Sequence, residues 1–188
     1  MKHCQISGYI GAFVLSTLLS TPILANSKGD HEIDDEGKGG RNAQVVNAEL
    51  IGYQEVPSVS STCEGEFRAT ISSDDSQIEF EISYANLEGT VTQSHIHFAQ
   101  KGVNGGISVF LCSNLPSPPA ETPPCPGPHS GTVTGTRAAA NMIGGPVEAQ
   151  GIAPGEFGEL IAAIRAGKAY ANVHSDKFPA GECRGQIH

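Results

Sequence analysis

The stretch QIEFEISYANL, residues 77–87, alternates between apolar and polar side chains. Ile78, Phe80, Ile82 and Tyr84 occupy every second position, and polar residues stand between them. Since successive side chains of a β-strand point to opposite faces, this pattern predicts a strand with one buried and one exposed face. Such half-buried strands are typical of antiparallel sheets.

Seven further segments resemble this one in length and composition. They lie at residues 44–52, 65–72, 90–99, 106–112, 130–138, 169–175 and 183–187. Clusters of serine, aspartate, asparagine, glycine and proline separate them and supply turn signals. Many short strands with a turn every ten residues or so predict an all-β protein, either a sandwich or a barrel.

One segment has helical spacing instead. Its apolar residues recur at intervals of three and four, at Phe157, Leu160, Ile161 and Ile164. Gly167 follows as a stop signal. We therefore predict one short helix at residues 156–166, with its apolar stripe facing the core of the sandwich.

The chain begins with the features of a secretory signal peptide. Lys2 gives a basic start, residues 9–19 are mostly apolar, and Ala25 offers a cleavage position. The apolar run is too short to span a bilayer as a helix, although an uncleaved membrane anchor is the alternative. We predict a signal peptide at 1–25 and a secreted or periplasmic protein that has no membrane association after its removal.

Residues 26–43 are polar, acidic and rich in glycine, which predicts a flexible tail before a single domain at 44–188. The formal net charge of the whole chain is −9. Loss of Lys2 with the signal peptide would bring the charge to about −10. Such a chain is repelled by nucleic acid and by anionic lipid, so neither is expected as a partner.

Five cysteines are present, and Cys4 would leave with the signal peptide. The remaining four are an even number in an oxidising compartment, which predicts two disulfides. Three pairings are open. We favour Cys112–Cys125, which would close a proline-rich loop, together with Cys63–Cys183. A four-cysteine zinc site would need close cysteine pairs that these spacings lack.

The stretch TQSHIHFAQKG, residues 92–102, places His95 and His97 on the same face of a predicted strand. A second predicted strand, AYANVHS, carries Tyr170, Asn172 and His174 on one face. If the two strands are neighbours, three imidazoles converge at a distance that suits a metal ion, and three neutral imidazoles suit copper or zinc. Asn172 or Glu182 could orient one of the rings.

A simpler alternative is that these histidines only decorate a solvated surface. His129 lies in a predicted loop and is a weaker candidate for a fourth ligand. The sequence contains no nucleophile elbow, no HExxH motif and no phosphate loop, and no serine has an evident base beside it. The sequence therefore does not identify a catalytic residue, and the balance is against an enzyme.

Three segments together resemble a known family. They are ELIGYQEVPSV, SHIHFAQKGVNGGISVFLC and GEFGELIAAIRAGKAYANVHSDKFPAGECRGQI. These segments resemble the CHRD domain over residues 44–187. The resemblance lies in the EVP segment, the HIH strand, the NVH strand and the P-x-G-E-x-R-G-Q ending, which occur in the order found in that family. The resemblance implies an immunoglobulin-like, Greek-key β-sandwich outside the cytoplasm, and it implies little about activity. Cys183 stands where the family usually has an aliphatic residue, which favours a special disulfide with Cys63.

Three functions from different classes are compatible with these observations. The first is a metal-binding module for copper or zinc that uses His95, His97 and His174. The second is an extracellular interaction or adhesion domain for a protein or glycan partner, without metal. The third is a redox protein similar to copper/zinc superoxide dismutase, because the HIH strand is similar to the copper-ligand strand of that enzyme. The loop SNLPSPPAETPPCPGPHSG has no counterpart of the zinc loop of the dismutases.

Overall fold

The computed structural model describes residues 42–188. The predicted signal peptide and nearly all of the predicted acidic tail lie outside this range. Among the described residues, eight antiparallel strands form one sheet. The strands are β1 (Gln44–Ile51), β2 (Glu64–Ile71), β3 (Gln77–Ala85), β4 (Val91–Phe98), β5 (Gly106–Ser113), β6 (Gly131–Ala138), β7 (Ala169–Ser175) and β8 (Cys183–Gln186). The all-β prediction is confirmed, and each predicted strand is present.

The alternation at residues 77–87 has the predicted result. Ile78, Phe80, Ile82 and Tyr84 are all buried in β3, and Glu79 and Glu81 are exposed. Their neighbours on β2 continue the apolar face, because Phe67 pairs with Ile82 and Ala69 with Phe80. Cross-strand contacts of this kind bury the inner face of the sheet and form the core.

The strand order is β5-β4-β7-β8-β1-β2-β3-β6. The sheet has two halves, which meet where β1 pairs with β8 through Ile51 and Arg184. The sheet curls until its end strands come together. There, the buried guanidinium group of Arg137 on β6 donates hydrogen bonds to the carbonyl oxygens of Phe110 and Leu111 on β5, at 2.6 and 3.1 Å.

The predicted helix is present as α1 (Phe157–Arg165), one residue shorter at each end than predicted. Its predicted apolar stripe is buried against the core, and α1 contacts β7. Gly167 follows the helix with a φ of 64°, a left-handed conformation that glycine adopts without strain. No helix among residues 42–188 is both long and apolar enough to cross a membrane.

Both favoured disulfides are present in the structure. Cys112 at the end of β5 is bonded to Cys125, and this bridge closes the proline-rich loop. Cys63, immediately before β2, is bonded to Cys183, the first residue of β8. The second bridge links the two halves of the sheet close to the place where β1 meets β8.

Candidate metal centre

The two histidine-bearing strands are direct neighbours. β4 pairs antiparallel with β7, so that Gln93 faces His174, His95 faces Asn172, and His97 faces Tyr170. Residues that are directly paired point to the same side of a sheet. The register therefore places His95, His97 and His174 on one side, as the sequence predicted.

This side of the sheet is not a solvated surface. His95 is 0% exposed, His97 is 7% exposed and His174 is 6% exposed. Aromatic rings cover two of the histidines. The ring centroid of Phe110 lies 4.3 Å from that of His95, and the ring of Tyr170 stacks on His97 with 4.6 Å between the centroids. The alternative in which the histidines decorate an exposed face is wrong, because loops and neighbouring strands cover them.

Hydrogen bonds to atoms around the cluster define which ring nitrogens carry a proton. His97 Nδ1 lies 2.9 Å from the carbonyl oxygen of Gly105, and His174 Nδ1 lies 3.0 Å from the carbonyl oxygen of Pro179. A carbonyl oxygen only accepts, so both Nδ1 atoms donate. His95 Nε2 lies 3.1 Å from Gln93 Oε1 and donates to it in the tautomer that leaves His95 Nδ1 without a proton. Each ring is thereby left with one nitrogen that carries a lone pair.

These three lone pairs point toward one another. One nitrogen from each of His95, His97 and His174 lies within 4.8 Å of the others. His95 Nδ1 and His174 Nε2 are only 3.2 Å apart. Two nitrogens bound to one copper or zinc ion at about 2 Å each are separated by a little more than 3 Å. His95 and His174 therefore already have the spacing of two ligands of one ion, and the His97 nitrogen would have to move closer to become the third.

Burial keeps the three rings neutral. It lowers the pKa of His97 to about 4, and the bond to the Gly105 carbonyl only partly opposes this effect. Burial also holds the pKa of His95 well below its usual value, and the neighbouring His174 and His97 lower it further. The pKa of His174 is lowered by burial as well. At neutral pH the lone pairs are available to a metal without competition from protons.

A second group of buried polar residues adjoins the histidines. Asn172 lies against both His97 and Glu55, and Arg184 stacks over the ring of Tyr170, with its guanidinium carbon 3.3 Å from the ring centroid. Glu55 is 5% exposed, and its burial raises its pKa to about 7 although Arg184 acts in the opposite direction. The sequence analysis quoted Glu55 within the EVP segment but gave it no role, because a strand pattern does not show which loop covers a site.

The two residues predicted to orient a ring have different positions. Asn172 lies beside the cluster. Glu182 is completely buried, and its carboxylate accepts from Ser61 Oγ at 2.7 Å, from the backbone N–H of Glu88 at 2.6 Å and from Ser175 Oγ. It joins loops rather than orienting a ring. The Gly105 and Pro179 carbonyls and Gln93 orient the rings instead, and backbone partners of this kind leave no signal in the sequence.

His129 does not belong to the cluster. It is exposed, and its Nδ1 donates to the carbonyl oxygen of Gly89 at 2.9 Å. Among residues 42–188, the three buried histidines form the one group of three or more histidine, cysteine, aspartate or glutamate side chains that is placed to hold a metal ion. The two-metal arrangement of a copper/zinc dismutase therefore gains no support from the described part of the chain.

Comparison with known proteins identifies the family. No curated protein and no solved structure matches the chain. The family model of the CHRD domain matches residues 46–187, a range that contains all three histidines, Glu55 and Asn172. Because this match covers most of the sequence, the chain belongs to the CHRD domain family.

Proposed function

We propose that this CHRD-domain protein is an extracytoplasmic binder of one transition-metal ion, copper or zinc. The ligands are His95 Nδ1, His97 Nε2 and His174 Nε2. Neutral imidazole is the commonest metal ligand in proteins, and three nitrogen donors suit either ion. The two disulfides fit an oxidising compartment outside the cytoplasm, where we expect the site to bind its metal ion.

One observation carries the proposal. His95 Nδ1 and His174 Nε2 lie 3.2 Å apart between two buried rings. His174 Nε2 is an acceptor because His174 Nδ1 donates to the Pro179 carbonyl, and His95 Nδ1 is an acceptor too in the tautomer in which His95 Nε2 donates to Gln93. Two lone pairs at this distance repel each other unless a cation or a proton lies between them. A proton on His95 Nδ1 would close the gap only if the Gln93 amide turned to offer its nitrogen to His95 Nε2. A metal ion closes it with all three outer hydrogen bonds kept.

The proposal is tested by titrating Cu(I), Cu(II) and Zn(II) into the purified protein with its disulfides intact. We expect one ion per chain and tight binding. His97→Gln removes one ligand, together with the ring on which Tyr170 stacks, and leaves His95 and His174 in place; we expect the metal affinity to fall at least a hundredfold. His129→Gln is the matched control, because His129 also donates through Nδ1 to a backbone carbonyl but lies outside the cluster.

Two outcomes would contradict the metal proposal. Binding that His97→Gln retains in full would place the ion elsewhere. A wild-type protein that binds none of the three ions would leave the histidines a purely structural role. Circular dichroism of each variant, compared with wild type, separates loss of a ligand from loss of the fold.

A second function, an interaction domain for an extracellular protein or glycan, is favoured by a different observation. Tyr53 is 69% exposed and Val103 is 42% exposed. Tyr53 lies in a short 3₁₀ helix, Gly52–Gln54, and Val103 lies in the turn between β4 and β5. The two segments are joined by the hydrogen bond from Asn104 Nδ2 to the carbonyl oxygen of Val56, at 2.8 Å. Exposed aromatic side chains are enriched at binding surfaces. Partner binding that is unchanged in His97→Gln and lost in Tyr53→Ala would favour this function over the metal site.

A further inference from the structure

Three buried acceptor atoms next to the histidine cluster have no hydrogen-bond partner among the described residues. They are His97 Nε2, Asn172 Oδ1 and Glu55 Oε1. Each belongs to a side chain that is at least nine-tenths buried. Buried acceptors without a donor are destabilising and uncommon in folded proteins. Three of them in neighbouring side chains indicate a place that is built to receive a ligand with positive charge or with protons to donate.

A metal ion accounts for only one of the three atoms. It takes the lone pair of His97 Nε2, as in the proposed function. Asn172 Oδ1 and Glu55 Oε1 then still require donors. A water molecule that coordinates a cation through its oxygen has two protons to donate, and its protons become better donors when a cation is bound. One ion and one water molecule would thus satisfy all three atoms.

A cavity adjoins this place at Glu55. It has a volume of about 280 Å³ and lies between residues 55–59 and residues 177–181. Glu55 forms part of its wall, and so does Pro179, whose carbonyl oxygen holds His174. Gly181 leaves room for the carboxyl group, because a Cβ atom at this position would lie 2.3 Å from Glu55 Oε1.

We propose that the metal site is open on the side of Glu55 and Asn172. There, an exchangeable water molecule, or a small anion that displaces it, completes the coordination, and Glu55 and Asn172 accept its hydrogen bonds. The cavity at 55–59 and 177–181 is the route of access. This inference rests on the proposed function. Structural metal sites are closed by protein ligands, whereas an open position is the feature that allows a site to bind substrate.

The test uses the Cu(II)-loaded protein and azide as the small anion. Wild type should increase the relaxation rate of solvent water protons, lose this effect when azide is added, and show an azide-to-copper charge-transfer band. The titrations are made above pH 7, where Glu55 is ionised. In Glu55→Gln, the water then loses a charged acceptor and the anion no longer meets a carboxylate. We therefore expect this variant to keep one Cu(II) per chain and to bind azide about tenfold more tightly than wild type.

Glu79→Gln, an exposed change on β3, is the matched control and should bind azide as wild type does. A loaded site that neither relaxes solvent water nor binds azide is closed, which would overturn the inference while leaving the metal site intact. Equal azide affinity in Glu55→Gln and wild type would overturn the role of Glu55. Loss of Cu(II) from Glu55→Gln would make Glu55 a ligand itself. Failure of wild type to bind Cu(II), Cu(I) or Zn(II) would instead refute the proposed function.

Discussion

Glu55 makes the stability of the metal-free protein depend on pH in a direction that can be measured. Burial raises the pKa of its carboxyl group from the ordinary value of 4.5 to about 7. The folded state therefore holds the proton at pH values where the unfolded chain has released it. The resulting contribution to stability is fully present below pH 4.5 and is lost as the pH rises through 7.

The magnitude follows from the size of the pKa shift. One pKa unit corresponds to about 1.36 kcal/mol, so the shift of Glu55 corresponds to about 3 kcal/mol. Glu55→Gln keeps the shape of the side chain and is neutral at every pH. We expect its free energy of unfolding, relative to wild type, to rise by about 3 kcal/mol between pH 4.5 and pH 8.

The measurement is urea denaturation of chelator-treated wild type and variant at intervals of one pH unit. The histidines of the unfolded chain also titrate over this range, but they do so in both proteins, and the difference between the two curves isolates Glu55. Glu79→Gln, an exposed change on β3, is the matched control for the substitution itself. Parallel curves for Glu55→Gln and wild type would refute the reasoning, since they would show that the Glu55 carboxyl is not desolvated.

Four further predictions concern other parts of the structure. Metal affinity should change little between pH 8 and pH 6 and fall only toward pH 4, because the pKa of His97 is about 4. A competition titration in which the metal affinity falls steeply near pH 6.5 would contradict the effect of burial on this pKa. Arg137→Met should lower the free energy of unfolding in urea by about 3 kcal/mol, because the carbonyl groups of Phe110 and Leu111 lose their charged donors. Arg68→Met, an exposed control, should have little effect in the same assay. The double change Cys112→Ser/Cys125→Ser should cost about 3 kcal/mol, as expected for a bridge between residues separated by 13 positions, and an unchanged thermal midpoint would contradict it. Gly181→Ala should displace Glu55 and lower the thermal midpoint, because Gly181 has a φ of 127° and the new Cβ would contact the Glu55 carboxyl group. Gly158→Ala is the control: Gly158 lies on the exposed side of α1, where a new Cβ has no neighbouring atom, so the thermal midpoint should stay the same or rise.

Much of the fold could be predicted because alternation and turn residues are local properties of the sequence. The stripe of β3 shows in the spacing of Ile78, Phe80 and Ile82, and the helix shows in the spacing of Leu160 and Ile164. The shared face of His95 and His97 follows from the same period of two. These features need no knowledge of what lies on the other side of the strand.

The burial of the histidines could not be predicted in the same way. It depends on loops that cover β4 and β7. The loops at Glu55 and Gly105 have no periodic pattern from which their position in the fold could be predicted. The tautomers of His97 and His174 depend on the backbone carbonyl groups of Gly105 and Pro179. Because every residue has a backbone carbonyl group, the sequence does not show which one a histidine will contact. Glu182 was predicted to orient a ring, yet its carboxylate accepts hydrogen bonds from Ser61, Glu88 and Ser175 instead. These partners come from three separate segments, and no local pattern shows that they meet.

The link that Arg137 makes between β6 and β5 has a consequence for how this protein behaves when many copies meet. An end strand with free carbonyl and N–H groups is a template for intermolecular strand addition, the first step of amyloid-like growth. Here the guanidinium group occupies the carbonyls of Phe110 and Leu111, and the backbone of Ile143 donates to the carbonyl of Ser108 on the same strand. One arginine and the short segment after it thus protect the end of the sheet from self-association, and a protein that lacked them would be prone to aggregate.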